Sequence, residues 1–166
     1  MSESKSAVDA VSSGFSAISQ ARRGFTAGVY ATVIMSVALL LGKALGGSLL
    51  PEVVPMAVME GVLGSGVGMG ILLLATVVGH LVYGGFWGGA LAALMPPISE
   101  TRGVMLGVFL WLIEQLIVVP ALGWGIFGTA MAPTIAASPF VFAGTSFLFH
   151  LVYGETYGML LAKEVV

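Results

Sequence analysis

The chain has 166 residues, of which 58% are hydrophobic and 8% are charged, whereas soluble domains have about 25% charged residues. This composition indicates a membrane protein. Because one membrane span needs about 20 mostly apolar residues, the length allows four spans and no second globular domain. The net charge of −2, with only six basic residues, argues against nucleic-acid binding, and the lack of cysteine excludes disulfides, iron–sulfur clusters and c-type haem.

The N-terminal segment carries an amphipathic pattern. Four apolar residues recur there at three- and four-residue spacing among serines: Val8, Val11, Phe15 and Ile18. This spacing predicts a short helix that lies on the membrane surface and ends at Arg22 and Arg23. Since the segment lacks the apolar core of a secretory signal peptide, we expect residues 1–23 to remain as an N-terminal tail.

Four apolar segments follow, and each has the length of a membrane-spanning helix. They cover about residues 24–46, 66–95, 103–122 and 139–162. Prolines interrupt the chain between them, and Pro96-Pro97 opens a short turn. Residues 123–138 are uncharged and rich in glycine, which favours an apolar connector or a surface half-helix. The sequence therefore predicts an all-α integral membrane protein, with residues 24–166 forming one four-helix bundle.

The basic residues indicate the orientation of the spans. With four crossings, five of the six lie on the N-terminal side of the membrane: Lys5, Arg22, Arg23, Arg102 and Lys163. Lys43 lies on the other side, near a helix end from which its long side chain reaches the interface. Because basic residues are enriched in cytoplasmic loops, we expect a multi-pass protein of the plasma membrane with both termini in the cytoplasm.

A repeat links the second and fourth spans. His80-Leu-Val-Tyr-Gly-Gly-Phe-Trp-Gly88 and His150-Leu-Val-Tyr-Gly-Glu-Thr-Tyr-Gly158 lie 70 residues apart and are identical at six of nine positions. They contain the two histidines of the chain. Each copy follows a span, a proline-containing connector and a returning span, so the repeat predicts a duplicated two-helix unit whose copies run parallel.

Helical spacing places small residues on the face that carries each histidine. They are Thr76, Gly84 and Gly88 in the first copy, and Ser146, Gly154 and Gly158 in the second. Tyr83 and Tyr153 flank this groove. Such a face has two interpretations, which the sequence leaves open: a contact between closely packed helices, or a groove that holds a ligand beside a functional histidine.

The ligand interpretation leads to a haem. His80 lies 16 residues before Pro96 and His150 lies 13 before Lys163, so at about 1.5 Å per residue the two imidazoles reach similar depths near the midplane. We expect them to be the axial ligands of one haem b, with the glycines Gly84, Gly88, Gly154 and Gly158 leaving space for the macrocycle and Tyr83 and Tyr153 packing around it. The arrangement is similar to the haem-carrying four-helix unit of cytochrome b proteins, as an architecture only.

Glu114 is a carboxylate inside the third span, close to the depth of the histidines. Such a group must be protonated, paired or hydrated. Together with His80 and His150 it is a candidate for binding a metal ion or for passing protons. The alternative is a neutral acid that bonds to neighbouring helices or to a partner subunit.

Two segments carry a family resemblance: Ala31-Thr-Val-Ile-Met-Ser36 in the first span and His150-Leu-Val-Tyr-Gly154 in the fourth. With them the chain resembles small four-helix membrane proteins of unknown function from archaea and bacteria. The resemblance implies the fold and no activity.

The expected function is that of a non-catalytic subunit in a membrane respiratory or redox complex, relaying electrons between a partner redox centre and quinone through its haem. Its partners would be the lipid bilayer and other membrane subunits or further copies of itself. Two alternatives remain: a structural or assembly subunit without cofactor, and a small ion or proton pathway.

Overall fold

The computed structural model describes residues 2–46, 53–131 and 138–163, which form helices and turns without a β-strand. The first three helices are α1 (Ser2–Gly46), α2 (Val54–Leu63) and α3 (Met69–Leu94). Helix α4 (Glu100–Ala121) is α-helical over Glu100–Ile113 and π-helical over Glu114–Val118, and it ends with the turn Val119–Ala121. A 3₁₀ turn (Ile126–Gly128) and helix α5 (Pro139–Ala162) follow.

In the described part of the chain, three helices are long and apolar enough to cross a membrane: Ser16–Gly42 within α1, Met69–Leu94 and Glu100–Ala121. The predicted all-helical membrane class is confirmed to this extent. Large apolar side chains point away from the protein, as Ile71 (64% exposed) and Leu74 (65% exposed) do on α3. Exposed apolar faces of this kind are suited to contact with lipid chains.

Helix α1 differs from its prediction. We expected a surface helix that ends at Arg22 and Arg23, but α1 continues from Ser2 to Gly46 without a break. The reason is local: α1 contains no proline, and its glycines weaken a helix without ending it. The side chains of Val8, Val11 and Phe15, which defined the amphipathic pattern, lie outside the described part of the structure.

The connectors contain more structure than the sequence indicated. Helix α2 lies within the segment expected to be a proline-containing loop, and Pro55 is in its first turn, where a missing N–H is tolerated. The short turn between α3 and α4 is closed by Arg102, whose Nη1 donates to the carbonyls of Met95 (2.7 Å) and Pro97 (2.6 Å). The hydroxyl of Ser99 caps α4 by accepting from the backbone N–H of Arg102 at 3.3 Å.

Helices pack as two pairs, α1 with α3 and α4 with α5, and α1 also packs on α5. Both pairs cross at glycines. A methyl group on Gly28 would overlap the carbonyl oxygen of Gly84, and one on Gly103 would overlap that of Gly154. Since no side chain separates the backbones at these points, the two helices of each pair approach as closely as small-residue crossings in membranes allow.

The core lies between the two pairs and is held by two tyrosines of α5. Tyr153 is 2% exposed and Tyr157 is fully buried, and their rings stack with centroids 6.2 Å apart. Their hydroxyls donate to the carbonyls of Gly84 and Gly88 on α3, each at 2.7 Å. Glycine leaves these carbonyls accessible, so two buried hydroxyls find acceptors that a larger residue would cover.

Candidate functional site

One cavity of about 280 Å³ lies among α1, α2, α3, α4 and α5. Its wall is mostly apolar, and Val58 of α2, Phe142 and Phe149 are part of it. Six polar side chains also reach it: His80, Tyr83, Glu114, Thr145, Ser146 and His150. The structure thus brings both histidines and the carboxylate of the third span into one cavity, as their depths in the sequence suggested.

Glu114 contacts three side chains beside the cavity. Its Oε1 accepts two hydrogen bonds, from Ser146 Oγ at 2.6 Å and from Gln115 Nε2 at 2.9 Å. Its Oε2 lies 3.5 Å from His150 Nε2, and the two side chains are 15% and 9% exposed. This last distance exceeds that of a good hydrogen bond. Oε2 and Nε2 therefore face each other, and each can still form a hydrogen bond with another molecule.

The protonation of His150 follows from its other nitrogen. Nδ1 lies 2.9 Å from the backbone carbonyl oxygen of Ser146, and because a carbonyl only accepts, Nδ1 carries a hydrogen. In the neutral ring Nε2 is then an acceptor. With one proton, on Glu114 Oε2 or on His150 Nε2, the pair is electrically neutral.

His80 is held differently, by a hydroxyl. Its Nδ1 lies 3.2 Å from Ser36 Oγ on α1, and this contact joins α1 to α3 beside the cavity. Among the described residues no hydrogen bond engages Nε2, so this atom remains for a ligand. Since a ring nitrogen and its partner set each other's roles, the Ser36 contact also influences whether Nε2 donates or accepts.

The π-helical segment shapes the α4 wall of the cavity. It begins at Glu114 and is followed by Pro120, which has no N–H and whose ring crowds the carbonyl of Leu116, one turn earlier. Widening of the preceding turn relieves that crowding. Leu110, Glu114 and Val118 all line the cavity, and π-helical turns of this kind are frequent at functional sites.

Gln115 is a site residue that the sequence prediction did not include. It is fully buried, and its Oε1 has no hydrogen-bond partner among the described residues. Ser36 was also missed. Both are polar residues inside otherwise apolar spans, and that signal was available, because such residues in membrane helices mark contacts or functional sites.

Most of the predicted haem-groove residues lie elsewhere. Four line the cavity: His80, Tyr83, Ser146 and His150. The others form helix contacts: Gly84 and Gly88 against α1, Gly154 and Gly158 against α4, and Tyr153 in the core. The positions of these glycines agree with the first interpretation of this face, a contact between closely packed helices.

The arrangement does not fit a porphyrin. The glycines expected to make room for a macrocycle are covered by neighbouring helix backbones, and about 280 Å³ lies just below the roughly 300–1,000 Å³ of pockets that bury drug-sized ligands. The haem assignment stays a sequence-based prediction. A visible absorption spectrum tests it, since a Soret band that His80→Ala and His150→Ala both remove would require the helices to rearrange.

Within the described residues, no group of three or more histidine, aspartate or glutamate side chains is placed to hold a metal ion. No known protein family, curated protein sequence or solved structure matches this chain. The cavity and the groups around it are therefore the features that bear on the function.

Proposed function

We propose that the chain is a four-span bundle built from a duplicated helix pair, with α5 as the fourth span. The 24 residues of α5 extend about 36 Å, which exceeds the roughly 30 Å of a bilayer core. A second repeat supports the duplication, since the glycine crossings of α1 and α4 lie in similar segments 79 residues apart: Arg23-Gly-Phe-Thr-Ala-Gly-Val-Tyr30 and Arg102-Gly-Val-Met-Leu-Gly-Val-Phe109. With four spans, both termini lie on the cytoplasmic side, where basic residues are enriched.

Within this bundle, the proposed function is proton exchange at the cavity, as a subunit of a membrane redox complex. The observation that carries the proposal is the Glu114–His150 pair, whose Oε2 and Nε2 atoms stand 3.5 Å apart on the cavity wall. In the proposed state the pair holds one mobile proton and has no net charge. Ionisable residues inside membranes commonly serve proton relays, and a pair without net charge avoids leaving a single unpaired charge there.

The proposed site opens toward one side only. The cavity extends from the histidines toward α2, whose residues Val54 and Val58 line it. In the opposite direction, the stacked rings of Tyr153 and Tyr157 and the glycine crossings fill the space between the helices. This close packing separates the cavity from the membrane side on which the two termini are proposed to lie. The packing therefore favours a proton-exchanging pocket over a continuous channel.

Infrared difference spectroscopy in lipid nanodiscs tests the proton exchange. We expect a protonated-carboxyl band that is present at acid pH, is lost at alkaline pH, shifts in D₂O and is absent from Glu114→Gln. Glu60→Gln is the matched control, because Glu60 is an exposed carboxylate of α2, and this variant should keep the band. A Glu114 band that neither titrates nor exchanges would identify a structural acid and overturn the proposal.

A flux assay tests the one-sided opening. In proteoliposomes with a pH-sensitive dye inside, the wild-type protein should leak protons no faster than Glu114→Gln. A leak that Glu114→Gln abolishes would instead show a continuous pathway through the bundle. The infrared and flux measurements are independent, so either half of the proposal can fail alone.

A further inference from the structure

The cavity has the properties of a binding site for a particular class of ligand. Its wall is largely apolar, and a few polar atoms converge at one end, which is the usual composition of a small-molecule pocket. We infer that it binds the head group of a neutral, lipid-soluble ring compound with carbonyl oxygens, of the quinone class. This deepens the proposed function, on which it rests, by naming the molecule that meets the Glu114–His150 pair.

The charges around the cavity argue against an ionic ligand. Among the described residues that line the cavity, none is lysine or arginine, so a phosphate or carboxylate head group would find no cationic partner. With the one proton that the proposed function assigns to it, the Glu114–His150 pair offers no net negative charge to a lipophilic cation. A neutral ligand is the one that this cavity receives without leaving an unpaired charge in the membrane.

The polar atoms match carbonyl oxygens on opposite sides of a ring. On one wall, the proton shared by Glu114 Oε2 and His150 Nε2 can be donated to a ligand, because at 3.5 Å these atoms do not satisfy each other. On another wall, Ser36 Oγ lies 3.2 Å from His80 Nδ1. When this hydroxyl donates to Nδ1, the neutral ring carries its hydrogen on Nε2, which can donate to a second carbonyl. Two donors on helices α3 and α5 suit a ring with two acceptors.

The volume of the cavity is large enough for the head group of the ligand only. A volume of about 280 Å³ is near the lower bound for drug-sized ligands, so it accommodates one or two rings and not a whole lipid. An apolar tail would leave the cavity past α2, whose described residues are all partly or fully exposed.

Isothermal titration calorimetry with decylubiquinone, on the wild-type protein in nanodiscs, tests the inference. We expect saturable binding near one equivalent per chain. Val58→Trp, which fills the cavity from α2, should weaken binding at least tenfold, and so should His80→Leu. Val62→Trp is the matched control, because Val62 lies on the same helix, is 72% exposed and does not line the cavity, and it should bind as the wild type does.

Equal uptake by Val58→Trp, Val62→Trp and empty nanodiscs would show partitioning into lipid and overturn the inference. Tighter binding of tetraphenylphosphonium than of decylubiquinone would overturn it as well, in favour of a cation site. Neither result bears on whether Glu114 titrates. If the infrared band of Glu114 fails to titrate while decylubiquinone still binds at the cavity, the proton proposal falls and the ligand site stands.

Discussion

The two oxygens of Glu114 have different surroundings, and this asymmetry determines which oxygen would carry the proposed carboxyl proton. Oε1 accepts from Ser146 and from Gln115, whereas Oε2 faces only His150 among its described neighbours. An oxygen that already accepts two hydrogen bonds is a poor place for a proton. Ser146 and Gln115 are therefore positioning residues, which direct the carboxyl proton to Oε2 and so to the cavity.

Removing either donor should be visible in the infrared spectrum of Glu114. Hydrogen bonds to the carbonyl oxygen of a protonated carboxyl weaken its C=O bond, so Ser146→Ala and Gln115→Met should each move the Glu114 band to higher frequency. Ser146→Thr keeps the hydroxyl, and should leave the band close to its wild-type position. The measurement is the same difference spectrum, with Glu114→Gln identifying the band.

Two outcomes would contradict this positioning role. One is an unchanged band in both Ser146→Ala and Gln115→Met, which would mean that the donors do not reach Oε1. The other is an equal shift in Ser146→Thr, which would point to a general disturbance of the helix contact. Retention of the helical circular dichroism signal in each variant separates these effects from loss of the fold.

At the scale of the helices, the glycine crossings and the cavity are mechanically connected. A methyl group on Gly107 would overlap the backbone carbonyl oxygen of His150, so the α4–α5 crossing sets the position of the histidine itself. The same crossing places Ser146 of α5 against Glu114 of α4. The glycines thus serve the site indirectly, by allowing the approach that brings these polar groups together.

This connection predicts that a glycine-to-alanine substitution changes the stability of the protein in opposite directions at Gly107 and at Gly144. Gly107→Ala should destabilise the protein by about 1–3 kcal/mol, as overpacking does. Gly144→Ala is the control on α5, because nothing lies within 4 Å of its added methyl group, and it should gain up to about 1 kcal/mol of helix propensity. Reversible unfolding in mixed micelles of sodium dodecyl sulfate measures both, and equal stability of the two variants would contradict the tight crossing.

The helix boundaries show which elements sequence reasoning can predict. The predicted fourth segment, 139–162, coincides with α5, because Pro139 fits the first turn of a helix, and Pro96-Pro97 ends α3 within two residues of expectation. The π-helical turn at Glu114 was not predicted, since it depends on how α4 relieves Pro120 while packing on α5. Continuous α1 was missed for a different reason: two arginines at an expected membrane surface do not end a helix.

For the molecule as a whole, the depth of a residue along its helix predicted the site better than the helix face on which the residue lies. Counting residues from the span ends brought His80, His150 and Glu114 to one level, and all three line one cavity. The role of Gly84 and Gly154 was not decidable in this way, because a ligand groove and a helix crossing both require a missing side chain. Contacts such as Ser36 with His80 join residues 44 positions apart, and only the packed bundle reveals them.

The proposed four-span arrangement leads to a labelling prediction, and the absence of native cysteine makes it easy to measure. Ser65, Glu100 and Lys163 are exposed and lie outside the spans or at their ends, and single cysteines there should react with a membrane-impermeant maleimide. In intact cells we expect labelling of Ser65→Cys alone, with Glu100→Cys and Lys163→Cys reacting only after permeabilisation. If Lys163→Cys and Glu100→Cys were labelled from opposite sides, α4 and α5 would not both cross the membrane, and the cavity would lack the membrane-embedded wall on which the proton and ligand proposals depend.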